Sequence, residues 1–215
     1  MSEKKLKIEI AQIKPVPVDI ASNLNMILQE IEKAKEGAID ILVFPELCVS
    51  GYVLGDRYEY DNFIFDIEKA NNIIKSNTEN IIVVWGSIVS DKNKINEDGR
   101  LRKYNSALIA QNGNWVSNGV LEGYMPKSNL PKYRIFDDAR HFYPGYKLAS
   151  EMNLELEEFY QPFEVKVREQ NYNVALAICE DIWEDEYNIK ISELYKNKSL
   201  DMLIDLSASP WTLGK

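Results

Sequence analysis

Short apolar runs recur along this chain, and they limit its fold more than any other feature. Ile39–Phe44, Ile81–Val89 and Val174–Ile178 are too short for typical globular helices and nearly free of polar residues. Runs of this kind form strands covered on both faces. The segments between them change period. Ile20, Leu24, Ile27, Leu28, Ile31 and Ala34 recur at helical spacing, with Asp19 placed to cap the start and Gly37 to take the C′ position. A second helix is predicted within Ile64–Lys75. Leu6, Ile8 and Ile10 alternate with Lys7 and Glu9, the pattern of a half-buried strand.

Two hairpins follow. Asn105–Ala110 and Asn114–Asn118 flank Gln111-Asn112-Gly113, a strong turn signal. Phe163–Arg168 and Tyr172–Cys179 make the second pair, followed by a helix around Asn188–Tyr195 and a strand Met202–Leu206. Alternating strands and helices interrupted by hairpins predict a layered α/β protein with a mixed sheet.

The chain of 215 residues is long enough to bury a sizeable core in one domain or a tight pair. With 45% apolar and 27% charged residues, it is neither disordered nor collagen-like. A net charge of −9 argues against nucleic acid or an anionic membrane as a partner. Two cysteines cannot build a disulfide scaffold, and with one histidine they cannot assemble a His/Cys zinc site. An all-oxygen Mg²⁺ or Ca²⁺ site stays open. The N-terminus lacks the apolar stretch of a signal peptide, and Ile81–Val89 is too short to cross a bilayer, so the expected setting is cytoplasmic. No low-complexity segment or repeat period stands out.

Three positions suit chemistry. Glu46 follows the strand Ile39–Phe44 and Pro45, where open α/β sheets place ligands; it reads as a general base or as a surface carboxylate at a strand end. Cys179 ends the run Val174–Ile178 and meets Glu180 and Asp181 at once. It reads as a nucleophile at the water boundary or as an inert core thiol. Lys127 lies between Pro126 and Pro131 in YMPKSNLP, a stiff segment. It reads as an oxyanion-stabilising ammonium or as a solvated loop lysine. His141 is the only histidine, and nothing in DARHF marks it as a base. No GxxxxGKS/T, GxGxxG or GxSxG segment occurs. Cys48 reads as a buried structural thiol.

Together, LVFPELCVSGY, YMPKSNLPKY and LAICEDIW resemble, in order and spacing, the motifs of the nitrilase (carbon–nitrogen hydrolase) superfamily. Across nearly the whole chain, KSNLPKYRIFDDARHFYPG and LIDLSASPWTLGK also resemble the glutaminase domains of glutamine-dependent NAD+ synthetases. The resemblance implies an αββα sandwich with mixed sheets spanning residues 1–215. It implies Glu46 as general base, Lys127 as oxyanion group and Cys179 as nucleophile. It implies a glutamine pocket of Tyr52, Tyr133, Phe136, Glu180, Ser209 and Lys215. It further implies a glutaminase step that needs no metal or cofactor. ATP and nicotinate adenine dinucleotide would be used only at a synthetase domain, in cis or trans, that this chain does not contain. L-Glutamine and a homo-oligomeric assembly are the other expected partners.

Two departures are visible. Asp138 stands where many members carry glutamate, and the shorter side chain is expected to reach less far toward Lys127. The sequence stops at Lys215, where the family fold continues, which reads as a domain incomplete at its C-terminus. An unfinished sheet edge would favour association. Within the same family, a stand-alone amidase or carbamoylase would carry an identical triad. A non-catalytic remnant that docks to a partner is the reading from a different class.

Overall fold

The computed structural model describes residues 5–210 and 213. The larger of two sheets contains β1 (Ile8–Ile10), β2 (Ile41–Val43), β3 (Ile82–Ile95), β4 (Leu101–Gln111), β5 (Asn114–Trp115) and β6 (Tyr124–Pro126). Its order is β1-β2-β3-β4-β5, with β6 also paired to β4. β1, β2 and β3 run parallel, and the remaining pairs are antiparallel. The smaller sheet is β7 (Phe163–Val167), β8 (Gln170–Ile178) and β9 (Met202–Leu206), with β7–β8 antiparallel and β8–β9 parallel. Both sheets are mixed, as expected.

The continuous apolar runs are explained by burial on two sides. Leu42 and Phe44 of the β2 segment and Val83 and Trp85 of β3 pack with Ile27, Ile31, Ile64 and Ile67. Those isoleucines come from α1 (Ile20–Glu36) and α2 (Asp61–Ser76). The alternate residues, Ile41, Val43, Ile82 and Val84, share the other core with Phe163, Val165, Val174 and Leu176 of the smaller sheet. Strand side chains alternate faces, so a strand between two apolar layers needs apolar residues at every position.

α1 starts as predicted, with Asp19 Oδ1 accepting the Ser22 N–H at 3.0 Å. Its end differs. Gly37 keeps a right-handed φ of −74° and Ala38 takes the left-handed position at φ +50°. The Ile39 N–H donates to Ala34 O and the Ala38 N–H to Lys35 O, which is the Schellman closure shifted one residue along. The shift lets Ile39 turn into the core below the helix.

The alternation over Leu6–Ile10 does not produce a half-buried strand. β1 is an edge strand whose Ile8 and Ile10 are 47% and 72% exposed. The core between the sheets takes in Ile41 and Val43 of the neighbouring β2, but among the described residues it does not extend over Ile8 and Ile10.

The turn between β4 and β5 forms at Asn112 (φ +50°) and Gly113 (φ +76°), the left-handed pair a two-residue hairpin requires. β3 runs past Val89 to Ile95 as one arm of a long hairpin with β4. The polar sequence after Val89 hides that extension, which rests on backbone pairing rather than burial. Short helices α3 (Asp138–His141), α4 (Gly145–Glu151) and α5 (Leu156–Phe159) carry no sequence period, and α6 (Ile191–Tyr195) starts three residues later than Asn188. One or two turns are too few to show a 3.6-residue repeat.

Candidate active site

Glu46 follows β2, and its backbone is pressed against β3. The Gly86 N–H donates to Pro45 O at 3.1 Å, and the Cys48 N–H donates to Gly86 O at 2.9 Å. A Cβ on Gly86 would lie 2.4 Å from Glu46 Cα and 2.5 Å from Leu47 N. Only glycine permits that approach. Leu47 then adopts φ +47°, turning the chain so that the Glu46 carboxylate enters the interior.

Lys127 follows β6 directly. Its N–H donates to Asn105 O at 2.8 Å, and its own carbonyl accepts the Gly145 N–H at 2.9 Å. Gly145 leaves no room for a side chain, since a Cβ would lie 2.7 Å from Pro126 O. Cys179 follows β8 with φ +47°, at the head of a 3-10 turn over Cys179–Ile182. A non-glycine residue in that region is strained, a feature concentrated at functional sites. Cys179 Sγ contacts Ser209 Oγ at 3.4 Å.

These segments meet in one buried charge centre. Lys127 Nζ donates to Glu46 Oε1 at 2.7 Å and to Asp138 Oδ2 at 3.0 Å. The other Glu46 oxygen accepts the Ala208 N–H at 3.2 Å. Asp138 Oδ1 accepts the Tyr52 hydroxyl at 2.9 Å. The expected shortfall of Asp138 is therefore corrected: α3 starts at Asp138 itself, beneath the lysine, and the shorter carboxylate reaches the ammonium.

Burial opposes charge on Lys127, but Glu46 and Asp138 overcome it and hold the ammonium well above the ordinary lysine range. Burial, reinforced by Glu46, raises the Cys179 thiol; Lys127 and the Ser209 and Ser207 hydroxyls only partly offset this. The resting sulfur is therefore a thiol that needs a base, and Glu46 is the carboxylate in its field. Burial and Glu46 also raise Asp138, against the pull of Lys127.

Beside this centre, Glu180 is buried and holds no ion pair with a described side chain. Its carboxylate accepts the Tyr133 hydroxyl at 3.0 and 3.2 Å and the Tyr187 hydroxyl at 3.0 Å. Phe136 bridges the aromatic wall, its ring 5.6 Å from Tyr52 and 5.5 Å from Tyr133. Glu46, Lys127, Cys179, Tyr52, Tyr133, Phe136, Glu180 and Ser209 thus gather in one region, whereas Lys215 lies outside the described residues.

Sequence reasoning missed Asn105 and Tyr187. Asn105 Nδ2 donates to Glu46 Oε1 at 2.8 Å from the middle of β4, where no local pattern marks it. Tyr187 sits in an acidic stretch that reads as surface. Cys48 is buried, as expected, and His141 is also buried. His141 Nδ1 lies 2.5 Å from Glu59 Oε1, and Cys48 is fully buried with Sγ 3.4 Å from Gly86 O. Among the described residues, no group of three or more His, Cys, Asp or Glu side chains gathers as a metal site. No described helix is long and apolar enough to cross a membrane.

The sequence profile of the carbon-nitrogen hydrolase family matches residues 7–194. The glutamine-dependent NAD(+) synthetase of Acinetobacter baylyi is 31% identical over 212 residues, covering 99% of this chain and 33% of that protein. The enzyme of the same name from Thermotoga maritima is 30% identical over 217 residues, covering 99% of this chain and 31% of that protein. The chain thus spans about a third of the length of these relatives. The solved glutamine-dependent NAD+ synthetase of Acinetobacter baumannii superposes with a TM-score of 0.72 at 27% identity, over 97% of this chain and 33% of that one. An amidase from Nesterenkonia sp. shares the fold, with a TM-score of 0.66 at 17% identity over 94% of this chain and 64% of that one. With its buried Glu46–Lys127 pair, the adjoining Cys179 and this match over most of its length, the chain belongs to the carbon–nitrogen hydrolase family, on a mixed α/β nitrilase-type fold.

Proposed function

We propose that this chain hydrolyses the side-chain amide of L-glutamine to glutamate and ammonia through a thioester on Cys179. The observation that carries the reading is the pairing of a buried Glu46–Lys127 ion pair with a second buried carboxylate, Glu180, whose partners among the described residues are the hydroxyls of Tyr133 and Tyr187. A buried carboxylate with no ionic partner among the described residues favours a cationic group on its ligand, and the α-ammonium of glutamine is such a group. Kinship to proteins named glutamine-dependent NAD(+) synthetases points the same way.

Glu46 accepts the Cys179 proton as sulfur attacks the amide carbon. The C=O pair moves onto oxygen, and we assign Lys127 and the N–H of Glu180 as the donors that stabilise the developing charge. Glu46 returns the proton to the amide nitrogen, the C–N bond breaks and ammonia leaves. Water then gives a proton to Glu46 and attacks the thioester. Collapse expels the sulfur, which recovers its proton from Glu46 as glutamate leaves. No step calls on a metal or organic cofactor.

In a longer protein or assembly, we propose that the ammonia serves an ATP-dependent NAD+ synthetase domain acting on nicotinate adenine dinucleotide, in cis or trans. The same reading carries a homo-oligomeric, cytoplasmic enzyme. The test is incubation with L-glutamine and measurement of glutamate and ammonia, with Cys179→Ala as control. Release that depends on Cys179 is expected. Turnover of short aliphatic amides with none of glutamine would assign the site to an amidase instead.

A further inference from the structure

Asp181 is a buried carboxylate that the reaction steps above do not use. It lies two residues after the nucleophile, with no ion pair to a described side chain. Its oxygens accept three backbone N–H groups. Oδ1 takes Ser128 N–H at 3.0 Å and Asn129 N–H at 2.8 Å; Oδ2 takes Ile178 N–H at 3.2 Å. Ser128 and Asn129 directly follow Lys127, and Ile178 directly precedes Cys179. One carboxylate therefore bolts the lysine segment to the strained cysteine turn. The two segments are far apart in sequence and follow strands of different sheets, and a further bond, Asn129 Nδ2 to Ile189 O at 3.2 Å, ties the lysine segment to the chain beyond the cysteine turn.

We propose that Asp181 is a positioning residue that registers Lys127 against Cys179, and that its ionisation couples the reactivity of Cys179 to pH. An ionised carboxylate can accept all three N–H groups; protonation places hydrogen on one oxygen and weakens it as an acceptor. Among the described residues, the titratable groups facing Asp181 are Lys127, Tyr160 after α5 and Tyr195 of α6. Burial pushes the Asp181 carboxyl up to about 7, against the Asn129 N–H, the Lys127 charge and the Ser128 and Ile178 N–H groups. The change of state thus falls in the range where the enzyme would work. Below it the clamp loosens, the register of the Lys127 segment against Cys179 relaxes, and the thiolate is stabilised less by the Lys127 charge. Above it the clamp is closed.

This inference rests on the assignment of Cys179 and Lys127 but not on glutamine as substrate, and its test uses no glutamine. In the unmodified chain, the amide signals of Ser128, Asn129 and Ile178 are followed by NMR from pH 5 to 9. They are expected to move together with one shared midpoint near 7. In parallel, the rate of Cys179 alkylation by iodoacetamide is followed by peptide mass spectrometry. The rate is expected to show an inflection at the same midpoint in addition to the titration of the thiol. In Asp181→Asn the inflection disappears and the rate at pH 8 falls by about tenfold, as a misplaced Lys127 stabilises the thiolate less. Three amide signals that stay still across the range, or an inflection that persists in a folded Asp181→Asn variant, would overturn the proposal. If that variant does not fold, the titration of the unmodified chain decides alone.

Discussion

Lys127 Nζ sits 3.0 Å from Asp138 Oδ2, and both side chains are removed from water. The same ammonium is 2.7 Å from Glu46, so one cation serves two carboxylates. Two carboxyl groups thus share one ammonium before any thiolate forms. Among the described residues, Glu46 and Asp138 are the acids that hold Lys127.

Removing Asp138 should loosen that hold. Asp138→Ala leaves Lys127 with Glu46 alone and takes the acceptor from the Tyr52 hydroxyl. A loss of about 1–3 kcal/mol of stability is expected for the unpaired buried donors, read by urea unfolding. Glutamate production should fall by about a hundredfold, with most of the loss in kcat. Unchanged kcat would show that Glu46 alone aims the lysine.

Gly86 should be intolerant of any side chain. A methyl group there meets the backbone of Glu46 and Leu47 rather than a flexible side chain, so the loop must move. Gly86→Ala is expected to cost about 1–3 kcal/mol by overpacking and to lower Cys179-dependent turnover more than its stability loss explains. A variant destabilised by that amount with full turnover would show that Glu46 does not depend on this contact.

Asn105 should matter through Glu46. Its amide holds Glu46 Oε1 at 2.8 Å, the oxygen that also takes Lys127, which leaves Oε2 to the Ala208 N–H. Asn105→Ala should slow turnover by up to about a hundredfold with little change in KM. Asn105→Asp should be worse, because it adds a third carboxylate to a centre with one cation. Equal rates for the two variants would argue against the electrostatic part of this account.

Glu151 provides a pH effect on stability. Burial alone would raise its carboxyl, but Lys94, Tyr143 and Arg102 outweigh that and lower it to about 2 from an ordinary value of 4.5. A carboxyl with a lowered value in the folded state stabilises the fold fully above its unfolded value and loses that contribution as pH falls toward the folded one. The stability gap between the unmodified chain and Glu151→Gln, measured by urea unfolding, should be constant above about pH 5.5 and shrink between about 4.5 and 2. A gap that does not change with pH would remove these ion pairs from the stability of the fold.

Much of this architecture can be read locally. Ile39–Phe44 and Ile81–Val89 announce strands because a strand between two apolar layers has no polar face to show. The Asn112-Gly113 turn is legible because few residues accept a left-handed φ. Asp19 is legible as a cap because a short carboxylate reaches a free N–H two or three residues on. Ile8 and Ile10 misled because alternation reports an apolar face, not whether another layer covers it. Gly37 misled because where the helix turns left-handed depends on where Ile39 finds its core.

Glu46, Lys127 and Cys179 stand out in sequence because each ends an apolar run or is gripped by prolines, and because their three motifs match one family in order. What they touch is not local. Lys127 meets Glu46 and Asp138 only because β6 pairs with β4 and α3 folds beneath it. Asn105, Gly86 and Asp181 act on residues that are remote in the chain or on another element. Covalent neighbours and periodicity set the strands, turns and caps, because those depend on backbone sterics and on local burial. The charge centre belongs to the tertiary structure, because placing one ammonium between two buried carboxylates takes the packing of two sheets to exclude water and fix distances.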